Sequence, residues 1–327
     1  MATDEARTRA GRAAEVIDEG LVRRLVASQF PEWAELPVEA VAPGGWDNRT
    51  FRLGSELSVR LPASHWHAPQ VAKEQRWLPW LAPQLPLPIP SPVARGVPGE
   101  GYPHAWSVYR WLDGQTADSA PIEDLDTFAR ALAQFLRALQ RINPTDGPVP
   151  GPHNFFRGGP VTTYAHQAVR ALELLEAEID AEAARLVWED AVAATWSAEP
   201  VWIHGDVAAG NLLARDGRLA AVLDFGGCGV GDPACDLVIA WTLFDGSSRE
   251  IFRRTLSVDA GTWSRGRGWA LWKALITLVD QIGSDADGER VSRQVIDRVL
   301  SDHAAERGRA QGLVRGGTER HHRRRSG

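Results

Sequence analysis

Two short apolar runs that each end in a polar motif constrain this chain most. Val201-Trp202-Ile203 leads directly into His204-Gly205-Asp206, with Asn211 five residues beyond Asp206. Leu219-Ala220-Ala221-Val222-Leu223 leads into Asp224-Phe225-Gly226, thirteen residues past Asn211. Brief apolar runs stopped by turn formers read as strands, and here each presents a carboxylate at its exit, as strands that carry catalytic loops do. Singly, each motif has a local explanation: Asp206 and Asn211 can cap turns, and Asp-Phe-Gly is an ordinary way to leave a strand. In this order, both at strand ends, they reinforce each other.

The spacing of Asp206 and Asn211 matches a kinase catalytic loop, and Asp224-Phe225-Gly226 matches the pattern of a magnesium-binding aspartate. A triphosphate concentrates negative charge. Oxygen ligands such as Asn211 and Asp224 suit the Mg²⁺ that neutralises it and aligns the γ-phosphate. Asp206 has a different task, since an acceptor hydroxyl must be oriented and relieved of its proton. His204 reads as a scaffold residue whose ring bonds loop backbone.

Strands dominate before Asp113 and helices after it. Val16, Ile17, Leu21, Val22, Leu25 and Val26 recur at helical spacing. Short strand candidates follow, with Thr50–Leu53 and Leu57–Leu61 flanking Gly54-Ser55 as a hairpin. A helix is expected from Gln70 to Leu81, where Pro79 is placed to kink or end it, and Trp106–Leu112 is a further strand candidate. Leu125, Phe128, Leu132, Phe135, Leu136 and Leu139 mark an amphipathic helix, and a Gly/Pro-rich loop follows from Asn143 to Pro160. The expected organisation is an α+β chain: a small antiparallel-sheet part over 1–112, a helical part over 113–305, and a disordered basic tail over 306–327, which lacks the apolar residues needed to offset ordering entropy.

A net charge of -6 argues against general nucleic-acid binding. Two cysteines at an unhelpful spacing, Cys228 and Cys235, suggest reduced thiols. The polar N-terminus has no apolar signal core, so a cytoplasmic location is expected. The most apolar stretch, Trp269–Val279, is too short to cross a bilayer, where ~20 apolar residues are needed. Positive charge comes from 34 arginines and only two lysines, Lys73 and Lys273. Most of the 14 tryptophans, Trp241, Trp269 and Trp272 among them, fall on helical apolar patterns and read as core.

The His204–Asn211 loop, Asp224, and the Gly231-Asp232-Pro233 and Asp236-Leu237 segments resemble the aminoglycoside phosphotransferase family of antibiotic and small-alcohol kinases, from about Val38 to His303. The resemblance implies a protein-kinase-like bilobal fold with ATP or GTP in its cleft, and an O-phosphotransferase acting on a small hydroxylated molecule. Carried over residue by residue, Asp206 becomes the catalytic base and Asn211 and Asp224 the metal ligands. Glu74 becomes the helix glutamate that pairs with the phosphate-binding cation. That cation is usually lysine, and here Arg60 takes its place, an exchange that is not conservative because guanidinium is a planar fork.

Gly44 and Gly45, in Gly44-Gly45-Trp46-Asp47-Asn48, take the position of a phosphate-approaching turn, although an ordinary hairpin turn also explains them. Tyr109 and Trp111 fall where the nucleobase hinge would lie, with core packing as the alternative. Asp232-Pro233 can cap a helix start, and Asp236 can brace the catalytic loop. Acidic residues on helices around Leu172–Trp188 and Trp269–Asp280 would suit a polycationic aminoglycoside, while a macrolide, a sugar or an amino alcohol also fits the motifs. The alternative function is a nucleotide-binding pseudokinase, motivated by Arg60. The presence of Asp206, Asn211 and Asp224 weighs against it, and the short Asp224–Asp232 spacing weighs against a protein kinase.

Overall fold

The computed structural model describes residues 17–42 and 47–323, with side chains to 309. The chain divides into two units, one of residues to Gly114 plus Ala220–Gly227, the other of Gln115–Leu219 plus Cys228 onward. The division falls two residues from the expected 112/113 boundary. Ala220–Gly227, expected with the helical part, joins the first unit instead, because Val222 N–H donates to the Pro88 carbonyl (3.1 Å) and Gly226 packs on Gln70.

The first unit opens with helix α1 (Glu19–Gln29), where the Asp18 carboxylate accepts the Leu21 N–H at 2.8 Å. Its buried stripe of Leu21, Val22, Leu25 and Val26 packs against a five-stranded antiparallel sheet. The strands are β1 (Val38–Ala40), β2 (Asn48–Leu53), β3 (Leu57–Pro62), β4 (Pro92–Gly96) and β5 (Trp106–Arg110), in the order β1-β2-β3-β5-β4. The expected β2–β3 hairpin forms with Leu53 opposite Leu57 and Gly54 left-handed at φ 61°.

Register decides what this sheet offers. Val59 of β3 lies opposite Val108 of β5 on the core face, so Arg60, opposite Ser107, projects from the other face with Ser58 and Tyr109. Helix α2 (Ala68–Leu81) meets that polar face, and Gln75 Nε2 donates to Ser107 Oγ at 3.0 Å. Pro79 sits on an exposed side of the last turn of α2, which ends two residues later.

The second unit contains β6 (Gln115–Thr116), α3 (Leu125–Arg141), α4 (Ala165–Leu174), α5 (Ala181–Ala193), β7 (Val201–Ile203), β8 (Leu212–Arg215), the start of β9 (Arg218–Val222) and β10 (Gly229–Gly231). Four helices complete it, α6 (Ile239–Thr242), α7 (Gly246–Leu256), α8 (Ala260–Gln281) and α9 (Ala286–Arg323). Asp124 caps α3 through the Asp126 and Thr127 N–H groups, and the predicted apolar stripe of α3 is buried. Helix α8 is buried on almost every side, burying Arg265 and Arg267 along with Trp263, Trp269 and Trp272.

Those buried charges are matched. Arg265 grips Asp232 through two bonds of 2.6 and 3.1 Å, and Arg267 holds Asp302 (3.3 Å) and Glu306 (2.6 Å). The second of these explains a departure from expectation: Glu306, placed by sequence at the start of a disordered tail, is anchored by Arg267 and Arg253, and α9 continues to Arg323. Cys228 and Cys235 are buried thiols, not bridged to each other. Among the described residues no helix is long and apolar enough to cross a membrane.

Candidate functional site

The expected site residues fall into two clusters, one in each unit. In the first, Arg60 donates toward Glu74 Oε1 (3.5 Å) and Asp224 Oδ1 (3.2 Å), and the Tyr109 hydroxyl donates to Glu74 Oε2 (2.5 Å). Burial opposes the charge on Arg60, yet Asp224 and Glu74 outweigh it and hold the guanidinium pKa above its usual value. Burial pushes the Glu74 carboxyl up in spite of Arg60, and pushes the Tyr109 hydroxyl up with help from Glu74.

Asp224 itself is left-handed, φ 59°, and accepts the Gly226 N–H at 3.3 Å. An aspartate tolerates this conformation better than most residues because its short side chain bonds locally. Gly226 packs closely on the Gln70 side chain, where a Cβ would stand 2.7 Å from Oε1 and the amide would have to shift. Lys73, for which no role was read from the sequence, donates to the Gly226 carbonyl at 2.5 Å.

The two residues expected at the nucleobase hinge have their side chains engaged within the first unit. Tyr109 is 2% exposed, and its hydroxyl acts on Glu74. Trp111 is stacked under Arg52 (4.7 Å) and donates its indole N–H to Asp113 Oδ1. Gly44 and Gly45 lie outside the described residues.

In the second unit, β7 pairs antiparallel with β10, Ile203 opposite Gly229, which fixes the strand exit. The fully buried Asp236 clamps the loop that follows, accepting the His204 N–H at 2.9 Å and the Gly205 N–H at 2.7 Å. Gly205 is left-handed, φ 85°, a conformation that favours glycine. His204 is buried and its Nδ1 accepts the Asp206 N–H (3.2 Å), the scaffold role read from the sequence. Asp232 caps the turn after β10 through the Ala234 N–H.

Asp206 emerges from this clamp with its side chain 44% exposed. Asn211 Nδ2 donates to the Asp206 carbonyl (2.9 Å) and to Oδ2 (3.3 Å), which leaves the Asn211 amide oxygen available to a cation. Lys273 Nζ bonds Asp206 Oδ1 at 3.1 Å. Burial pushes the Asp206 carboxyl up, but Lys273 and then Arg157 outweigh it and keep the pKa below the ordinary carboxylate value. Sequence reasoning missed Lys273 and Arg157. A signal existed for the first: in a chain that otherwise uses arginine, both lysines touch a motif.

Among the described residues no group of three or more His, Cys, Asp or Glu gathers as a metal centre. Mg²⁺ does not require one, because it takes one or two protein oxygens and fills its shell with phosphate and water. Asn211 and Asp224 supply oxygens of that kind.

A family model described as phosphotransferase enzyme family matches residues 39–272. No curated protein matches the sequence. Among solved structures, the GDP and kanamycin complex of APH(2")-IIia is 19% identical, with a TM-score of 0.65 over 86% of this chain and 98% of that one. The GDP complex of wild-type aminoglycoside 2'-phosphotransferase-IIIa is 18% identical, with a TM-score of 0.66 over 88% and 99%. The apoenzyme of macrolide 2'-phosphotransferase from Brachybacterium faecium is 20% identical, with a TM-score of 0.59 over 85% and 98%. At these identities the likeness is one of fold, the kinase-like α+β fold expected from the sequence.

Proposed function

Because the chain belongs to the phosphotransferase enzyme family and is a small-molecule kinase, we propose that it moves the γ-phosphoryl group of ATP or GTP onto a hydroxyl of a small acceptor, with Asp206 as the base. The carrying observation is the Asp206 carboxylate: half-exposed, held ionised, and fixed by the Asp236 clamp and Asn211. A carboxylate so placed orients the acceptor hydroxyl and takes its proton as the new P–O bond forms and the bond to the β-phosphate oxygen breaks. Little else is asked of the protein, since phosphoryl transfer is governed by positioning and charge.

Arg60 takes the phosphate-binding role that lysine usually fills. Its ion pair with Glu74 supports that substitution, and its second guanidinium edge engages Asp224. Glu74 is held in turn by Tyr109. Asn211 and Asp224 would hold Mg²⁺, which supplies positive charge to the phosphates. Nucleotide use is supported by related folds solved with GDP and ADP.

The test is nucleotide turnover with Mg²⁺ across hydroxylated antibiotics, sugars, sugar acids and amino alcohols, comparing wild type with Asp206→Ala. Acceptor-dependent release of ADP or GDP that disappears in the variant is expected. Turnover equal in both proteins would remove Asp206 from the role of base. Nucleotide-dependent thermal stabilisation without turnover on any acceptor would favour a pseudokinase.

A further inference from the structure

Arg157 differs from the other buried or half-buried arginines of the second unit, which hold carboxylates or backbone carbonyls. Arg253, Arg265 and Arg267 each hold a carboxylate. Among the described residues the Arg157 guanidinium makes no ion pair: its Cζ lies 5.1 Å from the ring centres of both Trp269 and Trp272, and its charge reaches Asp206 without a direct bond. It lines a small cavity of about 10 Å³ together with Asp206, Lys273 and Trp269. The Trp269 indole N–H, on a residue 1% exposed, is buried without an acceptor. Around one carboxylate that Lys273 already neutralises, donors are therefore in excess.

The backbone that delivers Arg157 is strained. Phe155 and Phe156 are both left-handed, φ 52° and 54°, a conformation bulky residues rarely adopt and one that concentrates at ligand sites. The loop is pinned from within. Fully buried Asn154 accepts the Gly151 N–H and donates to the Arg157 carbonyl, each at 3.0 Å. Tyr164 donates its hydroxyl to the Phe155 carbonyl (2.6 Å) while its ring stacks on Trp272 at 4.0 Å. Arg157 is thus preorganised beside Asp206 but not bonded to it.

Several acids on α4, on α5 and between them are engaged in ion pairs: Glu173 with Arg170, Glu176 with Arg185, Glu178 with Arg293 and Asp190 with His303. We propose that the acceptor is a hydroxy compound bearing a carboxylate or phosphate, and that Arg157 binds this anion through its guanidinium fork. A guanidinium fork suits the two oxygens of such a group, and the two indoles, nearly perpendicular to each other, flank it. The proposal names the substrate class of the phosphotransferase described above and rests on that function.

The experiment titrates the full chain with gluconate, glycerate and glucose 6-phosphate, with glucose and kanamycin as neutral and polycationic comparisons, by calorimetry and indole fluorescence. Saturable binding of at least one anion is expected, with affinity at least tenfold weaker in Arg157→Gln, partly kept in Arg157→Lys, and kept in Asp206→Asn. Arg157→Lys serves alone if the glutamine variant does not fold. Kanamycin binding more tightly than every anion, no anion binding at all, or equal affinity in wild type and the Arg157 variants overturns the proposal. With an anion that turns over, a raised acceptor KM in Arg157→Lys supports it. A lowered kcat at unchanged acceptor KM assigns Arg157 to the transferred phosphoryl group and overturns it. Anion binding that depends on Arg157 while no nucleotide is consumed leaves the anion site standing and refutes the phosphotransferase function instead.

Discussion

Arg60 of the first unit and Arg157 of the second are both shielded guanidiniums beside aromatic rings, Tyr109 at 5.9 Å in one case and two indoles at 5.1 Å in the other. Their partners differ. Arg60 faces two carboxylates, one of them tied to a tyrosine, so the charges of that cluster close on themselves. Arg157 is bonded to none. A closed set of buried charges fixes geometry and is fragile to the loss of any member, because the remainder is left desolvated and unmatched. An open set is stable without a ligand and changes its behaviour when one arrives.

The contrast is sharpest in what Asp206 and Glu74 do. Asp206→Ala removes a half-exposed carboxylate, so kcat should fall by about 10²–10⁴-fold, the usual contribution of a positioned base, with little change in melting temperature. Steady-state turnover and a thermal melt on the same sample check both halves. A large loss of stability would mean that the second cluster is structural too.

Glu74→Ala should behave in the opposite way. It strips one partner from the buried Arg60 and leaves the Tyr109 hydroxyl without its acceptor, a change of about 3–5 kcal/mol when buried pairs are broken. Asp224 still faces Arg60, so the lower end of that range is expected. Urea denaturation measures it, and a loss under about 1 kcal/mol would place the pair among weak surface bridges.

How much of this was legible follows from the same contrast. The strand ends carrying Asp206 and Asp224 were readable because short apolar runs and turn formers are local signals, and Arg60 was found by its place on β3. The side of the sheet on which Arg60 works follows from alternation alone. The partners of Asp206 were not readable. Lys273 comes from a helix sixty-seven residues away, and Arg157 from a loop whose sequence announces only Gly and Pro. The fate of Tyr109 was hidden for a related reason, since a buried aromatic and a base-facing one share the same strand pattern. The helix past Glu306 depends on long-range pairing to Arg253 and Arg267, which composition does not register.

A smaller effect probes how rigidly the first cluster is mounted. Gly96 of β4 lies opposite Trp106 of β5, and a Cβ there would stand 2.0 Å from the indole. Gly96→Ala should cost about 1–3 kcal/mol, as overpacking does, and loosen β5, which carries Tyr109. Hydrogen exchange of β5 amides, read beside the denaturation midpoint, should show both. An unchanged midpoint would mean that the indole moves aside freely and that β5 is not a firm support.

The finest distinction between the clusters is in their response to pH. The ionised form of Asp206 is the working base, and its pKa lies below the ordinary carboxylate value because Lys273 and Arg157 outweigh burial. The acid limb of kcat/KM, which reports the free enzyme, should therefore fall below the usual carboxylate range, leaving activity flat from about pH 5 upward as far as this group decides it. Lys273→Met removes the largest opposing charge. Burial then raises the Asp206 pKa, more of the protein holds a protonated base at a given pH, and the acid limb moves to higher pH. Glu74 offers no such limb in this account, because it takes no proton from the acceptor. Profiles of kcat/KM against pH for wild type and Lys273→Met decide the matter: a limb that stays in place would show that Lys273 does not set the charge of Asp206, and the second cluster would then lose its claim to be electrostatically open.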